Sequence, residues 1–210
     1  VVAQSIGGGG GALFGGTLTG NNFFANSATS KGNGGQVQVN IRGPLTTTGD
    51  GAIGVIAQSI GGGGLLGGDV ASAGGSAPRP GNFQGAATPS FFQGDGGEVD
   101  VNVVQGGSIR TSGAFAHGIY AQSVGGGGGL IVTQDHGWID GSGGGIGSAG
   151  AIDIEVDGIV TTTGKGAIGV YANSDGSTNS PNPVGITVTG AVGSQQFDAI
   201  VINSSATGNT

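Results

Sequence analysis

The sequence predicts an all-β chain, a parallel β-helix with three strands per coil and Gly-rich loop insertions at one corner. Three observations predict it. First, a phrase of Ala, Gln and Ser followed by a glycine run recurs at long spacing. It reads AQSIGGGGG at Ala3–Gly11, AQSIGGGG at Ala57–Gly64 and AQSVGGGGG at Ala121–Gly129. Drifted copies follow, ANSDG at Ala172–Gly176 and INSSATG from Ile202. A phrase repeated at such intervals means stacked units rather than one closed core. Second, glycine supplies 53 of 210 residues. Long helices are disfavoured, because each interior Gly costs about 1 kcal/mol relative to Ala. Third, short segments alternate apolar and polar residues, the period of a half-buried strand.

Each unit holds three extended segments, aligned on Gln4, Gln58, Gln122, Asn173 and Asn203. The first alternates most cleanly. Its inward residues are Val37, Val39 and Ile41, then Val99, Val101 and Val103, then Ile152, Ile154 and Val156, then Val184, Ile186 and Val188. Polar residues such as Gln38, Asn40, Asp100, Asn102, Asp153 and Glu155 stand between them. β-Branched residues suit a pleated, packed surface. The second segment is shorter and pairs an apolar residue with a hydroxyl: Leu45 with Thr47, Ile109 with Thr111, Val160 with Thr162, Val192 with Ser194. A glycine commonly precedes it as a turn signal.

The third segment carries the recurring phrase. Val1, Val55, Ile119 and Val170 fill one column, Ala3, Ala57, Ala121 and Ala172 the next, and Ser5, Ser59, Ser123 and Ser174 a third. The opposite face carries Ile56, Tyr120 and Tyr171 with Gln58, Gln122 and Asn173. Coils stacked about 4.8 Å apart place like on like. Gln/Asn and Ser columns could then form hydrogen-bond ladders along the stack. About four and a half coils give a column some 20 Å tall by that spacing, with open strand edges that invite pairing. The expectation is a single segment over residues 1–210 of a longer repeat protein, flanked by more coils or stacked on copies of itself.

Insertions follow the glycine runs near 12–33, 65–95 and 130–148. They contain unpatterned apolar residues, among them Leu13, Phe14, Leu66, Phe91, Leu130 and Trp138. Two readings follow. The insertions fold back over the outward Ile/Tyr column as a small second core, or they form a contact surface for neighbouring chains or a host surface.

Composition removes several functions. Apolar residues make up 35% and charged residues 8%, the reverse of a disordered chain. Net charge is −7, and the five basic residues, Lys31, Arg42, Arg79, Arg110 and Lys165, form no cluster. Nucleic-acid binding needs phosphate-neutralising charge, so it is not expected. There is no cysteine, which suits export through an oxidising space. No apolar run reaches the 18 or so residues of a membrane helix. The chain opens inside a repeat, so a signal or anchor is expected outside it.

No residue is singled out as catalytic, cofactor-binding or metal-ligating. Asp135 and His136 adjoin Trp138 and Asp140, but a catalytic or metal pair there has no second histidine near in sequence. Asp100 and Asp153 share an outward column, with Glu155 near Asn102. Stacked acids could hold calcium or simply form a solvated exterior that discourages edge pairing. A phosphate loop needs Lys and Ser/Thr after its last glycine, and Gly164–Lys165 is followed by Gly166. Outward Thr46, Thr48, Thr161 and Thr163 suggest an ice-binding face, but Arg110 and Gly193 interrupt it.

The phrases GVIAQSIGGGG and GIYAQSVGGGGG resemble the passenger repeats of large autotransporters, the type V secreted proteins of Gram-negative bacteria. The resemblance covers nearly the whole chain. It implies a right-handed β-helix, exported through an outer-membrane barrel that lies outside this segment and displayed on the cell surface. It also implies an adhesin, biofilm or surface-fibre role, and it supplies no catalytic residues and no cofactor. The expected function is therefore a non-enzymatic extracellular stalk, and the alternative a filament subunit stacking end to end. A carbohydrate-acting β-helix enzyme is a third reading, against which the acids are too scattered. Expected partners are copies of itself, met through coil ends or loops, a host or bacterial surface, or carbohydrate.

Overall fold

A computed structural model describes residues 1–19, 31–73, 93–133, 137–142, 146–176 and 183–204. Among these there are seventeen β-strands and no helix. The three segments of each unit become three sheets. The first contains β3 (Val37–Ile41), β7 (Val99–Val103), β12 (Ile152–Val156) and β15 (Val184–Val188). The second contains β4 (Pro44–Thr47), β8 (Ser108–Thr111), β13 (Ile159–Thr162) and β16 (Ala191–Ser194). The third contains β1 (Val2–Ile6), β5 (Val55–Ile60), β9 (Ile119–Val124), β14 (Val170–Asp175) and β17 (Ile200–Ser204). Every pair in these sheets is parallel, and each strand pairs with its equivalent in the next unit. The arrangement is compatible with a parallel β-helix.

Register follows the repeats residue by residue. Val37 faces Val99, and Val99 faces Ile152. Leu45, Ile109, Val160 and Val192 are successive partners. Gln4, Gln58, Gln122, Asn173 and Asn203 are successive partners too. A one-residue slip would turn every inward side chain outward, so alternation excludes odd slips, and the like-with-like columns mark the register that remains. The inward columns of all three sheets meet in one apolar cluster that includes Val55, Val101, Ile109, Ile119, Ile154, Val160 and Val170. Burying a Val or Ile side chain stabilises by about 1.5–3 kcal/mol.

Hydroxyls close the turn between the second and third sheets. Thr47 Oγ1 donates to the Ala52 carbonyl at 2.6 Å and Thr162 Oγ1 to the Ala167 carbonyl at 3.2 Å. Thr111 makes the same bond to Ala116. The inward hydroxyl at the end of the second segment thus satisfies a backbone acceptor five residues on.

The insertions depart from the expectation of loops. Their outgoing limbs are strands, β2 (Gly10–Thr19), β6 (Gly64–Ala73) and β10 (Gly128–Thr133), and the third insertion adds a strand that turns back, β11 (Gly137–Ser142). They form a fourth sheet in the order β11-β10-β6-β2, parallel except where β11 turns back antiparallel on β10. The physical reason lies in the glycine corners. Gly10, Gly64 and Gly128 are register partners, so the limbs leave in step and satisfy one another's backbone groups. The corners demand glycine for two causes. Gly62 and Gly126 adopt φ of 80° and 77°, a left-handed backbone that side chains disfavour. A Cβ on Gly61 would stand 2.3 Å from the Gly94 carbonyl carbon, because the limb returning from the insertion crosses there.

Candidate functional site

The fourth sheet lies over the outer face of the third, and this junction holds the most unusual chemistry among the described residues. Ile53, Ile56, Tyr120, Ile168 and Tyr171 cluster with Leu66 of β6 and Leu130 of β10, all buried. The insertions therefore do fold back over the Ile/Tyr column as a second core. The rings of Tyr120 and Tyr171 stack with centroids 5.5 Å apart.

The Gln/Asn column faces outward from the first core; its end members Gln4 and Asn203 are exposed, but the three between them do not meet water. Gln58, Gln122 and Asn173 are fully buried beneath the fourth sheet. The ladder expected from stacking is present for the glutamines. Gln4 Nε2 donates to Gln58 Oε1 at 2.6 Å, and Gln58 Nε2 donates to Gln122 Oε1 at 2.8 Å. Gln122 Nε2 then donates to the Gly129 carbonyl of β10 at 3.3 Å. Burial makes these bonds costly to lose, since an unsatisfied buried amide costs about 1–3 kcal/mol.

The serine column does not stack Ser on Ser. Ser59 Oγ donates to the Gly35 carbonyl at 2.8 Å and accepts the Gly97 N–H at 2.7 Å. Ser123 Oγ donates to the Gly97 carbonyl at 2.8 Å and accepts the Gly150 N–H at 2.7 Å. A hydroxyl is both donor and acceptor, so Ser59 and Ser123 each stitch the end of the third sheet to the glycines that lead into the first.

His117 is the residue that the sequence reading passed over. It lies two residues before β9, and it is fully buried. Its Nδ1 accepts the Ile168 N–H at 2.9 Å, and its ring stacks on Tyr171 at 6.2 Å. Burial pushes its pKa down to about 4, because desolvation penalises the charged form. The signal was available: AHGI replaces the AIGV of the units on either side, so a histidine occupies an isoleucine column.

The outer acids pair as the alignment placed them. Asp153 is the register partner of Asp100, and Glu155 of Asn102. Gln36 Nε2 donates to Asp100 Oδ2 at 2.9 Å and to Glu98 Oε2 at 3.3 Å. Among the described residues no three His, Cys, Asp or Glu side chains converge to hold a metal ion. Thr46, Arg110, Thr161 and Gly193 are register partners on the second sheet, so the interrupted threonine column stands as expected. Gly164–Gly166 forms part of the turn before β14, where Lys165 gives its carbonyl to the Phe115 N–H at 2.8 Å. Asp135 and His136 lie outside the described residues, while Trp138 and Asp140 are on β11.

Comparison with protein-family models, with curated proteins and with solved structures finds no match.

Proposed function

We propose that the chain is a segment of a right-handed, three-strand-per-coil parallel β-helix that serves as a stiff extracellular stalk. In this reading it belongs to a surface protein of a Gram-negative bacterium, exported as an autotransporter passenger, and it performs no catalysis. Its coils space the molecule away from the cell, and its insertions make many weak contacts with a neighbouring surface or matrix. Weak contacts repeated along one rod add up by effective concentration.

The observation that carries the reading is the unbroken register of like residues, above all the Gln4–Gln58–Gln122–Asn173–Asn203 column. A stack in which each unit contacts only its neighbours is a one-dimensional structure, suited to length rather than to a concave site.

Display of the chain on a non-adherent Gram-negative host tests this. Increased settling or surface attachment is expected relative to display of a shuffled chain. Attachment no greater than that of the shuffled control would remove the adhesive reading.

A second reading is a filament subunit that stacks end to end through its outermost strands. Val2 on β1 is 54% exposed, and Ile200 and Ile202 on β17 are 40% and 36% exposed. Sedimentation that grows with concentration into long polymers would favour it over the stalk.

A further inference from the structure

We propose that His117 is an acid-sensitive latch that holds the fourth sheet against the third and releases it on acidification. This goes beyond the stalk role, which needs only that the stack be stiff.

The argument begins with position. The Gly54 N–H bonds the His117 carbonyl, and the Gly118 N–H bonds the Ile168 carbonyl. Ile53, His117 and Ile168 are therefore equivalent positions in three successive units. Both isoleucines belong to the core between the third and fourth sheets. A histidine in their column, fully buried, places the one imidazole among the described residues inside that core.

Its hydrogen bond fixes its protonation state. Nδ1 accepts the Ile168 N–H at 2.9 Å, so the neutral ring carries its proton on Nε2. A second proton must go to Nδ1, where it would meet a backbone donor instead of an acceptor. Protonation thus breaks the bond and buries a charge, which an apolar site opposes strongly.

The described neighbours of the ring are aromatic and aliphatic, while the fourth sheet also carries Asp69 on β6 and Asp140 on β11, the latter in register with Leu130. From β14 the Tyr171 ring stacks on the imidazole at 6.2 Å, with Tyr120 of β9 behind it at 5.5 Å from Tyr171. The fourth sheet contributes Leu66 and Leu130 to the same cluster. In the same column Asp198 lies one unit beyond Ile168, at an exposed position. Burial alone accounts for the low pKa.

The direction follows. The closed state holds neutral imidazole until about pH 4, whereas an opened state takes the proton near the ordinary 6.5. The stabilisation is complete above pH 6.5 and is lost as pH falls toward 4. Over that span the open-to-closed ratio rises on the order of 300-fold, tenfold for each pH unit.

Two measurements on the whole chain test the latch. The first is the proton NMR titration of the two histidines, with His136→Asn used to assign them. His117 is expected to titrate near pH 4, and a midpoint near 6.5 would overturn the proposal. The second follows Trp138, the sole tryptophan, on β11 of the fourth sheet. Its emission is expected to shift with acid before the far-ultraviolet β signal falls, and the shift is expected to vanish in His117→Ile and His117→Gln. An unchanged acid shift in both variants, or loss of both signals together in the native chain, would also overturn it. If neither variant folds, the order in which the two signals of the native chain change with acid still decides.

Discussion

The third sheet has a packed core on each side, and the two are built differently. On the inner side Val55, Ile119 and Val170 meet the Val and Ile columns of the first two sheets. That core repeats the same residue types from unit to unit. On the outer side an isoleucine, Ile56, gives way to Tyr120 and Tyr171, a histidine replaces an isoleucine, and a buried amide column runs through the wall. The inner core uses shape and hydrophobicity at its centre and keeps its Thr and Ser hydroxyls at the corners, where they bond backbone groups in the same way from unit to unit. The outer core depends on specific hydrogen bonds, and Gln122 binds the fourth sheet directly through Gly129. The inner side therefore sets global stability, and the outer side sets whether the fourth sheet stays docked.

Truncation in the inner core tests this division with the largest effect. Ile154 is fully buried at the centre of β12, flanked in register by Val101 and Ile186. Ile154→Ala is expected to cost about 2–5 kcal/mol, lost burial plus an unfilled cavity. Urea unfolding should show the loss equally by circular dichroism and by Trp138 emission, since the whole stack fails together. A midpoint that moved for Trp138 alone would mean that the inner core does not govern the stack.

The inner core was readable in the sequence because period two leaves no freedom. Once Val99, Val101 and Val103 face inward, Asp100 and Asn102 must face out. The like-with-like columns were readable for the same reason, since copies of one phrase stack in register. The fourth sheet was not readable. LFGGTL at Leu13–Leu18 and LLGGDV at Leu65–Val70 show no alternation, and their pairing depends on the glycine corners releasing both limbs in step. That the glutamines are covered was one of two readings left open by the sequence. A side chain that points away from one core is exposed only if nothing else packs there, and what packs there is an insertion of unpatterned composition. The serine stitches were hidden for a related reason: their partners are backbone groups of glycines, which leave no side-chain signature.

The outer side should yield a smaller and more local effect. Gln122→Ala removes the acceptor of Gln58 and the donor to Gly129. With one buried amide left unsatisfied, the expected loss is about 1–3 kcal/mol. Here Trp138 emission should change at lower urea than the circular dichroism does. Coincident transitions would show that the fourth sheet does not undock separately.

Between the two cores lies the glycine joint. Gly62 has φ of 80°, and an added Cβ would approach the Gly127 nitrogen at 3.0 Å. Gly62→Ala is expected to cost about 1–2 kcal/mol, the left-handed penalty for a residue with a side chain. The same substitution at Gly43, where an added Cβ meets nothing within 4 Å, serves as the control and should be nearly neutral. Thermal unfolding of the pair separates strain at the joint from any general dependence on glycine content.

The smallest effect belongs to the outer acids, which touch neither core. Asp100 and Asp153 are adjacent in register on neighbouring strands, and like charges directly opposite one another destabilise a sheet. Asp153→Asn should therefore stabilise slightly, by no more than about 0.5 kcal/mol at an exposed site, and the gain should shrink as added salt screens the repulsion. The same experiment decides between a solvated exterior and a calcium column. A solvated column gives melting temperatures that millimolar calcium leaves unchanged in both native chain and variant. A calcium column would raise the melting temperature of the native chain alone, because the ion would bind the folded acids and the variant would lack one of them.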